Sequence, residues 1–62
     1  MVTSRNSVLV VDADSESRET LASHFEKVGW DVHTANDGRQ ATKVMNRENP
    51  DIILMDIVLP VR

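Results

Sequence analysis

Three aspartates stand where short apolar runs give out. Asp12 closes Ser7–Asp12 (SVLVVD), Asp14 lies in the polar stretch that follows, and Asp56 closes Asp51–Asp56 (DIILMD). If the two runs are neighbouring parallel strands, Asp12 and Asp56 end on the same side of a sheet, with Asp14 in the loop just beyond. Carboxylates gathered at one end of an apolar layer repel one another, and a divalent cation relieves that repulsion. Hard oxygen ligands suit Mg²⁺. An aspartate fixed at a strand end beside such a cation can also attack phosphorus and form an acyl phosphate. That transfer depends mainly on positioning and charge neutralisation. The competing reading is that each carboxylate merely caps the turn after its strand. It weighs most for Asp14, which with Ser15 can cap a helix, and least for the Asp12–Asp56 pair.

These positions follow from the elements that hold them. Ser7–Asp12 is a continuous β-branched run, the pattern of a strand buried on both faces. A helix follows, with Glu16 and Glu19 near its positive end and Leu21, Ala22, Phe25 and Val28 as its core stripe. Gly29 stops it. Trp30–Ala35 (WDVHTA) reads as a weaker strand, and Asn36-Asp37-Gly38 as a turn in which Asp37 caps a second helix over Arg39–Arg47. Ala41, Val44 and Met45 point inward on that helix, and Asn49-Pro50 ends it. Asp51–Asp56 reads as a second wholly buried strand. The order β-α-β-α-β requires parallel strands with right-handed crossovers, hence a doubly wound α/β layer with strand order 2-1-3. Residues 1–6 read as a tail and 7–62 as the first half of a domain, because strand 3 looks buried yet stands at an edge.

Composition narrows the function classes. Sixty-two residues make at most one domain. Seven Lys and Arg against ten Asp and Glu give a net charge of −3 with no basic run, which argues against a nucleic-acid or anionic-membrane binder. No apolar run is long enough to span a bilayer, and MVTSRNS has no apolar signal core, so a cytoplasmic protein is expected. The absence of cysteine rules out disulfides and thiolate metal sites.

The residues Val8-Leu9-Val10-Val11-Asp12, Arg18, Leu21, Gly29, Ala35-Asn36-Asp37-Gly38, Ala41 and Pro50-Asp51-Ile52-Ile53-Leu54-Met55-Asp56-Ile57 with Leu59-Pro60 resemble, without gaps, the receiver domains of two-component response regulators. That family is flavodoxin-like (CheY-like) in fold. The resemblance implies a phosphorelay signalling domain rather than an enzyme, with Asp56 phosphorylated by a partner histidine kinase. It implies Mg²⁺ held by Asp12, Asp56 and the backbone carbonyl of Val58. The family usually has two adjacent acids after strand 1; here Ala13 follows Asp12, so either Asp14 supplies the second carboxylate or the cation is held weakly. Receivers are roughly twice this length, and the hydroxyl residue and lysine that contact the phosphoryl group in the family have no counterpart in residues 1–62. The expectation is a chain impaired on its own, which needs the missing receiver half or associates with itself as a homodimer.

Two other classes compete. A self-associating structural half-domain would show no phosphotransfer. VLVVDADS also resembles the opening of haloacid-dehalogenase-like phosphatases, which would make Asp12 the nucleophile and Asp14 the acid, but Glu16 departs from that motif and Asp56 with Pro60 is left unexplained. His24 and His33 read as a helix-flank and an edge-strand histidine, Met45 and Met55 as core filler, and Arg18 as a surface residue.

Overall fold

The computed structural model describes residues 6–55. Its elements are β1 (Ser7–Val11), α1 (Ser15–Lys27), β2 (Asp31–Ala35), α2 (Gly38–Glu48) and β3 (Ile52–Met55). The strands are parallel in the order β2-β1-β3, so this is the flavodoxin-like β-α-β-α-β arrangement expected from the sequence. Val8 pairs with Val32 on one side and Ile52 on the other, and Val11 with Ala35 and Met55. At the amino end of the sheet Ser7 and Asp51 tie β1 to β3. The Ser7 N–H donates to Asp51 Oδ2 at 3.0 Å, and the Asp51 N–H donates to the Ser7 carbonyl at 3.1 Å.

β1 is the centre of the core. Val8, Leu9 and Val10 have no exposed surface. Side chains alternate across a strand, so Leu9 and Val11 share one face. Ala35 joins them there, and Ala41, Val44 and Met45 of α2 cover that face. Val8 and Val10 face the opposite layer, which α1 covers through its half-buried Leu21, Ala22 and Phe25. Each helix packs on β1 and β2, and the helices do not touch one another, because two right-handed crossovers that move toward opposite edges of the sheet put their helices on opposite faces.

Local chemistry sets the boundaries. Asp14 caps α1 and Asp37 caps α2, each accepting from the N–H three residues on. Gln40 adds a reciprocal bond by accepting the Asn36 N–H at 2.8 Å. After α1 the chain turns at Gly29, where φ is +93°, a value that favours glycine. Trp30 lies before β2 and not within it: its N–H donates to the Phe25 carbonyl at 3.0 Å and its ring meets Phe25 edge-on. α2 runs one residue further at each end than its periodicity suggests and closes at Asn49 in the left-handed conformation.

Two expectations about burial are corrected. Val28 falls at the C-cap of α1 and is 64% exposed, because the helix has already turned away from the sheet. β3 is exposed along its length, from 36% at Leu54 to 49% at Met55, because neither helix reaches it. No helix of the described residues is long and apolar enough to cross a membrane.

Candidate functional site at the carboxyl end of β1

The first turn after β1 is built from hydrogen bonds that Asp12 and Asp14 share. Asp12 is 3% exposed. Its N–H extends the β1–β2 ladder by donating to the Ala35 carbonyl at 3.1 Å. Its Oδ1 accepts the Asp14 N–H at 3.0 Å, an Asx turn that swings the chain off the strand. Its carbonyl accepts from Arg18 Nη1 at 2.7 Å. The remaining atom, Oδ2, is buried without a hydrogen-bond partner among the described residues. A buried, unpaired carboxylate oxygen is costly in a folded protein, and here it is a buried acceptor left for a ligand. A hard cation fits that donor.

Asp14 has a different task. Its Oδ2 accepts the Ser17 N–H at 3.0 Å, and its carbonyl accepts the Arg18 N–H at 2.9 Å, which opens the helix. The hydrogen bonds from Ser17 hold its carboxyl below the ordinary carboxylate value, with a smaller push from the Arg18 charge. This group is fully solvated, so the depression reflects the cap and not a buried charge pair. The structure therefore brings Asp12 and Asp14 into one turn but gives their carboxylates separate partners. Ala13 between them is exposed. Asp56 and Val58, expected beside Asp12, lie outside the described residues. Among the described residues no three His, Asp or Glu side chains converge as a metal cluster.

The loop after β2 borders the same end of the sheet, and its backbone is fixed by the Asp37 and Gln40 caps. His33 lies away from this end. Its Nε2 is 3.6 Å from Asp31 Oδ2 and 3.9 Å from Glu48 Oε1, which links β2 to the end of α2. His24 is exposed on α1 beside the Phe25 ring.

Arg18 was legible only as a surface residue, and the structure gives it a different place. With Asp14 as N-cap it is the fourth helical residue. A long side chain there leans back toward the helix N-terminus and so toward the end of β1. The combination of a capping acid and an arginine four residues later was the available signal.

Comparison with known proteins bears on this geometry. The response regulator receiver domain family matches residues 8–62. The alkaline phosphatase synthesis transcriptional regulatory protein PhoP of Bacillus subtilis is 48% identical over 54 residues, covering 86% of this chain and 22% of that protein. The probable transcriptional regulator ycf27 of Guillardia theta is 34% identical over 56 residues, covering 90% of this chain and 22% of its own length. The chain thus spans about a fifth of the length of the curated relatives it matches.

Proposed function

From the premise that this chain belongs to the response regulator receiver domain family, we propose that it is a phosphoacceptor module of two-component signalling, with Asp56 as the accepting residue and a histidine kinase as the donor. The observation that carries this reading is the register. Val11 pairs with Met55, the residues immediately before Asp12 and Asp56, and Asp12 Oδ2 has no hydrogen-bond partner among the described residues. Continued by one residue, that register would set Asp56 beside Asp12, and two carboxylates so paired would suit a Mg²⁺ ion together with the Val58 carbonyl.

In the reaction an Asp56 carboxylate oxygen attacks phosphorus, the bond from phosphorus to the donor imidazole nitrogen breaks, and the imidazole leaves and takes up a proton. Bound Mg²⁺ would offset the negative charge that gathers on the phosphoryl oxygens. Asp12 contributes a carboxylate whose other oxygen is already fixed by the Asp14 N–H. Asp14 contributes mainly the helix cap, so with Ala13 in place of an acid the cation is held weakly, and Ala13→Asp is expected to tighten it. The chain acts as a signalling domain in the cytoplasm rather than as an enzyme.

The test is intact-mass measurement after incubation with a small acyl-phosphate donor and Mg²⁺. The chain joined to the remainder of a relative's receiver domain is expected to gain one phosphoryl group, and its Asp56→Asn version none. The 62 residues alone lack the family's phosphoryl-contacting hydroxyl and lysine. Loss of one preorganised stabiliser costs on the order of 10²–10³ in rate, so slow labelling is expected there. Equal labelling of the Asp56→Asn version would refute the assignment.

One observation favours a second reading, a self-associating half-domain. Ile52, Ile53, Leu54 and Met55 are all exposed, and an apolar strand at an edge recruits another chain. Sedimentation equilibrium separates the two. Self-association that persists when the chain is joined to a relative's receiver remainder supports the second reading, and a monomer in that form excludes it.

A further inference from the structure

We propose that Arg18 is a built-in counter-cation of the acidic turn, which lets Asp12 stay buried without a metal and which lowers the affinity of the site for a divalent cation. The second half of this statement rests on the cation reading above; the first half does not.

Arg18 is tied to the turn twice. Its N–H donates to the Asp14 carbonyl at 2.9 Å, and its Nη1 donates to the Asp12 carbonyl at 2.7 Å. The side chain thus bridges from the first turn of α1 back to the end of β1. Asp12 is almost completely buried, and a buried carboxylate needs compensation. Its one side-chain hydrogen bond comes from a neutral amide. Among the described residues, the close contacts between basic and acidic side chains are those of His33 with Asp31 and Glu48 and of Arg47 with Glu48, and none reaches Asp12 or Asp14. The Arg18 guanidinium, anchored on the Asp12 carbonyl, supplies positive charge next to the turn without bonding Asp12 Oδ2, which has no partner among the described residues.

This arrangement has a definite sign. A divalent cation at Oδ2 would share the turn with a fixed positive charge, and like charges repel. Arg18 therefore stabilises the metal-free turn and opposes the metal. A residue that acted only by holding the loop in shape would do the opposite, because its removal would weaken binding.

The experiment combines calorimetric Mg²⁺ titration with urea unfolding in the absence of metal, on the full chain and its Arg18→Met, Arg18→Gln, Arg18→Lys and Asp12→Asn versions. Arg18→Met is expected to bind Mg²⁺ roughly fivefold more tightly, from a like-charge interaction across a solvated gap. Arg18→Gln, which keeps a donor for the Asp12 carbonyl but not the charge, should behave like Arg18→Met. Arg18→Lys, which keeps the charge, should stay near the parent affinity. Unchanged or weaker binding in both neutral versions overturns the proposal.

The cation reading has its own control. Asp12→Asn should abolish Mg²⁺ binding, and if it does not, that reading fails while the counter-cation claim still faces the metal-free arm. There, neutralising Arg18 must lower the urea midpoint more in the parent than in the Asp12→Asn background. Equal losses in both backgrounds would mean that Arg18 is not compensating Asp12, and the proposal would fall whatever the metal does. Should Arg18→Met not fold, Arg18→Gln supplies both readouts.

Discussion

β2 and β3 flank the same central strand in matching parallel register, yet they live in different surroundings. β2 is covered by α1 on one face and α2 on the other, and its Ala35 is buried. β3 meets β1 along one edge and touches neither helix, so all four of its side chains are exposed. The more apolar of the two strands is the more exposed one. Burial is therefore conferred by the layers above and below a strand, and an apolar sequence shows only what a strand is prepared to meet.

The largest effect that sharpens this contrast is in the core. Leu9→Ala removes a fully buried side chain from the α2-covered face and should cost about 2–5 kcal/mol, enough to threaten folding of a domain this small. Leu54→Ala at β3 should cost about 0.5 kcal/mol or less, as at an exposed site. Urea unfolding of both compares them, and equal losses would mean that β3 is covered in solution.

A smaller effect tests the loop on the covered side. Asp37→Ala removes the cap of α2 and should cost about 1 kcal/mol. Amide exchange at Gln40, whose N–H the Asp37 carboxylate accepts at 2.8 Å, should accelerate, while amides of β3 should not change.

The smallest effect comes from the turn after β1. The Asp14 carboxyl titrates below its usual value of 3.8 in the folded chain because Ser17 donates to the charged form. Its contribution to stability is complete above about 3.9, the unfolded value, and is lost as pH falls through the lower folded value. Urea midpoints between pH 5 and pH 2 should therefore fall less steeply in Asp14→Asn than in the parent. Identical slopes would remove the cap from the account.

Much of this architecture is legible in the residues. The β-branched run Val8–Val11 marks the central strand, and the spacing of Ala41, Val44 and Met45 marks the face of α2 that packs beneath it. Asp37 and Asp14 mark helix starts because capping is a local matter between a carboxylate and an N–H three residues on. The exposure of β3 was hidden because an apolar strand reads the same whether or not its covering layers are present. Asp12 was legible as a site residue from its place at a strand end, and Asp14 as the acid for which the capping reading weighs most. Both are acids near a helix start, and the geometry adds the atoms: Asp14 Oδ2 accepts the cap bond, while Asp12 Oδ2 has no hydrogen-bond partner among the described residues. Arg18 reads as a surface residue in the sequence, and its bond to the Asp12 carbonyl is hinted at only by the capping acid four residues before it.

The central claim is that phosphoryl transfer ends on Asp56 and not on the aspartates of the β1 turn. Borohydride reduces an aspartyl phosphate to homoserine, which fixes the position of the acyl phosphate permanently in the chain. Peptide sequencing by mass spectrometry of the phosphorylated, reduced protein, joined to a relative's receiver remainder, should find homoserine at residue 56 and aspartate intact at residues 12 and 14. Homoserine at residue 12 would contradict the account and point to the phosphatase-like reading in which Asp12 is the nucleophile.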